Sequence, residues 1–228
     1  MDCRSYLGPY LLGPNDENQG IYTGDARELA KAIPDESVDL IFTDPVYQNI
    51  EDYRWLAETA ARVLKPNSAC LVFCGIEWLG ETIAALQQNL TYQWQLILSM
   101  PYRNGGHIKG GFSQYISCLW FRKNHGFPSR QIPDARLWRP ADGPFKWAKN
   151  PDFIAYYTSA FADEGAVVAD FFGGKGTMAL VSKMLGRRWL AFEIDPDTAE
   201  RARERVRNTP PPLFVMEPEQ MEMDFQQG

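Results

Sequence analysis

Seven apolar runs of strand length recur along this chain, and most are separated by segments in which apolar residues return at helical spacing. The strand candidates are 20–23, 38–43, 69–73, 92–99, 115–121, 166–171 and 189–192. Helical spacing covers 26–32, 51–64, 78–89, 151–161, 177–185 and 197–206, with Lys65-Pro66-Asn67 and Gly186 as stop signals. Strands joined through helices of this length require right-handed crossovers and hence a parallel sheet. The pair 92–99 and 115–121 has no helix between its members and is expected to be antiparallel. The pattern predicts an α/β chain with a seven-stranded, mostly parallel sheet carrying one antiparallel strand.

A length of 228 residues suits one large domain with a full core. No apolar stretch approaches the roughly 20 residues that cross a bilayer. Met1-Asp2-Cys3-Arg4 lacks a signal pattern, so a cytoplasmic protein with no membrane partner is expected. Four cysteines and two histidines are too few and too scattered for a zinc site, and no metal is expected. Cys70 and Cys74 fall on one face of a strand-like run, which suits buried, reduced thiols. Residues 208–228 open with Pro210-Pro211-Pro212 and carry Glu217, Glu219, Glu222 and Asp224, the composition of a flexible acidic tail.

Charge is distributed unevenly. The chain carries a net −6, yet 101–149 holds nine basic residues against Asp134 and Asp142, a local +7 that leaves −13 elsewhere. A local basic surface, not the sum, governs affinity for phosphate. The plainer alternative is a solvated basic loop.

Two strand ends carry chemistry. Thr43-Asp44-Pro45-Val46-Tyr47 closes the run 38–42 with an acid, a proline and an aromatic. In open α/β sheets ligands bind at the carboxyl ends of the strands, although Asp and Pro are also ordinary turn residues. Far downstream, Asp170-Phe171-Phe172-Gly173-Gly174-Lys175-Gly176-Thr177 joins a buried strand to a helix, and its glycines let a ligand approach the backbone. A phosphate-binding P-loop needs Ser or Thr directly after its lysine, and Gly176 stands there instead. Glu193 follows Asp170 by 23 residues, near the separation at which an acid reaches ribose hydroxyls in nucleotide sites. A nucleoside-containing cofactor follows.

In this order Gly24-Asp25, Asp44-Pro45-Val46-Tyr47, Lys149-Asn150-Pro151, Asp170 to Thr177, and Leu185-Gly186-Arg187-Arg188 with Glu193-Ile194-Asp195 resemble the motifs of amino-methylating DNA methyltransferases of the permuted β class. The resemblance covers residues 20–207. It implies a Rossmann-like fold for S-adenosyl-L-methionine-dependent methyltransferases, with 1–207 as one catalytic domain and 101–149 as a small target-recognition insertion. It implies methyl transfer to an exocyclic base amine of double-stranded DNA, adenine N6 favoured over cytosine N4, in the setting of restriction–modification. Asp44, Pro45 and Tyr47 would act on the base. Asp25, Asp170, Phe172, Gly174, Gly176, Thr177 and Glu193 would hold the cofactor, and Arg103, Asn104, His107 and Lys109 would read DNA. Each has a bland rival: Tyr47 as a core or rim aromatic, Asp25 as a helix cap, Thr177 as a helix start.

The chain departs from the family at Val46, where a second proline is usual, and at Phe171 and Lys175, where proline and serine are. These departures leave a catalytically inactive cofactor- or DNA-binding module as an alternative, beside an RNA or protein amine methyltransferase of the same fold. Cytosine C5 chemistry needs a thiolate that relatives place after a proline, and none of Cys3, Cys70, Cys74 and Cys118 follows one. Homodimerisation is compatible with the resemblance. Gln220-Met221-Glu222-Met223-Asp224-Phe225 loosely resembles peptides that dock on bacterial sliding clamps.

Overall fold

The computed structural model describes residues 19–100, 107–108, 111–137 and 151–209. In chain order the first half contains β1 (Ile21–Thr23), α1 (Ala26–Leu29), β2 (Val38–Thr43), α2 (Ile50–Val63), β3 (Leu64–Cys74), α3 (Leu79–Leu86) and β4 (Thr91–Ser99). A two-residue hairpin, β5 (His107–Ile108) with β6 (Gly111–Phe112), precedes β7 (Tyr115–Arg122) and β8 (Ala135–Leu137). The second half contains α4 (Pro151–Phe161), β9 (Val167–Asp170), α5 (Thr177–Met184), β10 (Arg188–Glu193) and α6 (Pro196–Asn208).

Among the described residues the main sheet has eight strands, in the order β1-β10-β9-β2-β3-β7-β4-β8. All pairs are parallel except those of β7 with β3 and β4, so β7 alone runs against the rest. The expected antiparallel pair is therefore present, and the expected count of seven is corrected to eight. The added strand, β8, lies in the basic segment 101–149 expected to form a target-recognition insertion, where no strand beyond 121 was expected. It is three residues long and owes its extended form to pairing with the sheet edge at Ile97–Ser99. The predicted stop at Lys65-Pro66-Asn67 is also revised. The helix ends at Val63, but the chain turns directly into β3, and the ladder with β2 slips between Val38 and Leu40 to absorb the extra residues.

Helices cover both faces, which is why the central strands read as unbroken apolar runs. In β3, Ala69, Leu71 and Phe73 pack on the face beneath α4, α5 and α6, while Cys70, Val72 and Cys74 pack beneath α2 and α3. From β2 the chain winds outward through β3 to β4; from β9 it winds the other way through β10. Adjacent strands β2 and β9 thus mark the reversal of winding, and the crevice outside their carboxyl ends is where such sheets bind ligands. Among the described residues no helix is long and apolar enough to cross a membrane.

Candidate active site

Strand pairing brings the two sequence motifs together. Thr43 ends β2 and Asp170 ends β9, 127 residues apart in the chain, yet the Thr43 hydroxyl donates a 2.7 Å hydrogen bond to Asp170 Oδ1. The Phe171 amide donates to Thr43 Oγ1 at 3.2 Å, and the Phe172 amide donates to Asp170 Oδ1 at 3.1 Å. Burial pushes the Asp170 carboxyl up from its ordinary 3.8 to about 7, against the pull of the Thr43 and Phe172 hydrogen bonds. The nearby charges of Asp44 and Glu193 raise it further.

A cleft of about 170 Å³ opens over this junction. Asp44 lines it from the first loop, and Asp170, Phe172, Gly174 and Thr177 line it from the second. Five expected site residues therefore share one cavity. Trp55 meets Phe171 and Phe172 edge-on at 5.6 and 6.2 Å, which braces the aromatic wall.

Tyr47 is half-buried beside Asp44. Burial, then the charge of Asp44 and a hydrogen bond to it, hold the phenol well above its ordinary range, so the ring stays neutral. Gly75, one residue past the end of β3, lies directly under the ring: a Cβ there would come within 3.1 Å of Tyr47 Cβ. Pro45 is buried behind the loop, whereas Val46 is 64% exposed. The Asn49 amide closes a turn onto the Val46 carbonyl at 3.0 Å, so a hydrogen-bonded turn stiffens the loop where relatives have a second proline. Asp52, accepting from Asn49 Nδ2 at 2.9 Å and Arg27 Nη2 at 2.6 Å, ties that turn to α1 and α2.

The remaining cofactor candidates occupy the same end of the sheet with different contacts. Glu193 Oε2 accepts from the Gly174 amide at 2.8 Å, and its Oε1 accepts from Asp195 at 2.9 Å. Asp25 caps α1 by accepting from the Arg27 amide at 2.8 Å, the plainer of its two readings. The preceding Gly24 amide donates to the Glu193 carbonyl at 2.9 Å. Gly176, at φ +70°, packs against α6: a Cβ there would come within 3.0 Å of the Ala202 Cβ. Thr177 both opens α5 and lines the cleft.

The residues expected to read DNA contribute no geometry. Arg103, Asn104 and Lys109 lie outside the described residues, as do the side chain of His107, Lys149-Asn150 and all of 210–228. Four of the nine basic residues of 101–149 are described, and each is engaged within the fold. Arg122 and Lys123 sit at the amino ends of β3 and β4, away from the cleft: Arg122 Nε donates to Gln93 at 2.7 Å and Lys123 Nζ to the Leu64 carbonyl at 2.6 Å. Arg130 and Arg136 stack on Tyr156, with ring-centroid distances of 4.9 and 3.7 Å. The basic segment is thus partly structural, a use its net charge did not reveal.

Sequence reasoning passed over Thr43, Phe42, Phe73, Ile154 and Met178 as cleft residues, and treated Lys175 only as a departure from a motif. Thr43 carried one signal, a polar residue closing a buried strand immediately before Asp44.

A family model described as DNA methylase (N6/N4) matches residues 104–204, and one described as a methyltransferase domain matches 12–72. The Type II methyltransferase M.BamHI of Bacillus amyloliquefaciens is 25% identical over 82% of this chain. This chain spans only 57% of that relative's length. M.HpaI of Haemophilus parainfluenzae is 25% identical over 83% of this chain and 74% of its own. Among solved structures, M1.HpyAVI in complex with SAM superposes with a TM-score of 0.71, at 22% identity over 83% of this chain and 98% of that one. The cytosine-N4-specific PvuII DNA methyltransferase superposes with a TM-score of 0.70, at 16% identity over 91% of each chain. With its motifs in order and its two loops in one cleft, the chain is similar to amino-methylating N6/N4 DNA methyltransferases over most of its length, and it shares the fold of the solved ones.

Proposed function

We propose that this protein methylates an exocyclic base amine in double-stranded DNA, adenine N6 in preference to cytosine N4, with S-adenosyl-L-methionine as donor. The observation that carries the reading is the single cleft shared by Asp44 and the Asp170–Thr177 loop. The cofactor fits that cleft. Gly174 lines it at φ +48°, and a Cβ there would meet no atom nearer than 3.9 Å, so any side chain would project into the space the cofactor needs. Asp170 and Thr177 would hold the methionine portion, Phe172 its apolar flank, and Glu193, exchanging backbone amides for ribose hydroxyls, the sugar, with Asp25 near the adenine. When bound, the cofactor supplies an electrophilic methyl group.

The chain's own residues do the rest. An exocyclic amine is a poor nucleophile because its lone pair is delocalised into the ring. Asp44 and the Pro45 carbonyl, as acceptors for its two hydrogens, draw the nitrogen toward tetrahedral geometry and free that pair. Tyr47 offers a neutral ring on which a base extruded from the duplex can stack. The bound donor would supply the methyl group to that nitrogen, its sulfur keeping the electron pair of the bond given up, and Asp44 would take the proton that the amine releases. Arg103, Asn104, His107 and Lys109 would contact the target duplex. Adenine is favoured because relatives that begin this motif with Asp are mostly adenine enzymes.

The test is nucleoside mass spectrometry of duplex DNA treated with protein and cofactor. N6-methyladenine is the expected product, and N4-methylcytosine would reassign the base. Transfer to RNA alone removes the DNA reading, and cofactor binding without transfer supports an inactive module. Positioning of Tyr47 gives a further expected result. Gly75→Ala forces the ring aside and should lower kcat about tenfold with cofactor Kd unchanged, since small misplacements at a reacting centre are costly. Steady-state kinetics with titrated cofactor reads both values.

A further inference from the structure

Thr43 is 2% exposed, and its hydroxyl lies between the two functional loops. The direction of each bond there is fixed by chemistry, because a backbone amide can only donate. The Phe171 N–H donates to Thr43 Oγ1 at 3.2 Å, so the single hydroxyl proton is left for Asp170 Oδ1 at 2.7 Å. The Phe172 N–H donates to the same Oδ1 at 3.1 Å. Two donors therefore converge on one carboxylate oxygen, an arrangement that suits an acceptor and leaves no room for a proton on that oxygen. The next residue after Thr43 is Asp44.

We propose that Thr43 is a positioning residue whose hydroxyl holds Asp170 as a hydrogen-bond acceptor and couples the cofactor loop to the loop carrying Asp44. The inference rests on the reading of this cleft as the cofactor site. Its consequence is that the group holding the donor and the group acting on the amine keep a fixed mutual placement through one side chain. Two acids, Asp44 from the end of β2 and Glu193 from the end of β10, face Asp170 and favour its protonation, while Lys175 of the glycine loop lines the same cleft. The Thr43 hydroxyl is one of two hydrogen-bond donors that act in the opposite direction, the other being the Phe172 amide.

The experiment compares Thr43→Val, which keeps the branched shape without the hydroxyl, with Thr43→Ser, which keeps the hydroxyl. Calorimetric titration of the full chain with S-adenosyl-L-methionine between pH 6 and 9 is expected to show wild-type affinity rising through about pH 7, where Asp170 ionises. Thr43→Val should weaken binding about tenfold at pH 7, the usual worth of a hydrogen bond to a charged group, and move the midpoint to higher pH. Thr43→Ser should restore both to within about twofold. At saturating cofactor, kcat of Thr43→Val should remain depressed, because the loop carrying Asp44 has lost its tie. If Thr43→Val does not fold, as read by its thermal melt, Thr43→Ala carries the same comparison. Wild-type affinity and midpoint in the hydroxyl-free variant overturn the inference, as does failure of Thr43→Ser to restore them. A wild-type chain that binds no S-adenosyl-L-methionine at any pH overturns the cofactor reading, and this inference with it.

Discussion

Alanine at Asp44 should lower kcat for methyl transfer by about 10³-fold while leaving the dissociation constant for S-adenosyl-L-methionine within about threefold of wild type. The size follows from what is removed: the proposed side-chain acceptor of the target amine, in a cleft where water is a poor substitute. The selectivity follows from placement, since Asp44 belongs to the loop after β2 whereas the residues proposed to hold the cofactor lie at the carboxyl ends of β1, β9 and β10. Asp44→Asn refines the test. An amide oxygen still accepts a hydrogen bond, so this variant should lose only about tenfold if polarising the amine is the main role. A loss as deep as that of alanine would instead mean that full carboxylate basicity is needed to take up the amine proton. Single-turnover transfer of labelled methyl groups to duplex DNA, beside an equilibrium cofactor titration, measures both effects.

Asp170→Asn should move function and stability in opposite directions. Both hydrogen bonds that Asp170 accepts, from Thr43 and from Phe172, land on Oδ1, which an asparagine carbonyl reproduces. What disappears is the negative charge, and with it the attraction proposed for the ammonium group of the methionine portion; cofactor affinity at pH 8 should fall about 100-fold. Stability runs the other way. The folded value of Asp170 is about 7 against an ordinary 3.8, so between these limits the folded chain holds a proton that the unfolded chain has released. The contribution of Asp170 to stability therefore falls as pH rises from about 4 to 7 and stays low above that range. Asparagine escapes this penalty. The cofactor-free variant should melt a few degrees higher than wild type at pH 8, by about 2–4 °C for a chain of this size, and match it at pH 4. A variant that melts lower at pH 8 would mean that the carboxylate is stabilised by partners the cleft does not account for.

Much of this architecture could be read from periodicity because both faces of the sheet are buried. The run Val38-Asp39-Leu40-Ile41-Phe42 and the run from Ala69 to Phe73 announce central strands through composition alone. The antiparallel placement of β7 followed from the lack of a helix between 99 and 115. β8 had no comparable signature: Ala135 and Leu137 are exposed, and Arg136 is drawn to Tyr156, so its extended form comes only from the neighbouring edge. The role of Thr43 was out of reach for a different reason. It depends on β2 lying beside β9, a fact of strand order that local pattern does not encode. Gly176 illustrates a third case, since its glycine could be read but its packing against Ala202 of α6 could not. Arg122 and Lys123 show the limit of counting charge: both belong to the basic segment by sequence and to the opposite end of the sheet by structure.

We propose one cleft for both the methyl donor and the amine that receives the methyl group. A crystal structure of the chain with S-adenosyl-L-methionine tests it most directly. The methionine portion is expected against Asp170 and Thr177, the ribose at Glu193, and the methyl group directed toward Asp44. Cofactor seated elsewhere, or with its methyl group turned away from the Asp44–Tyr47 loop, would contradict it.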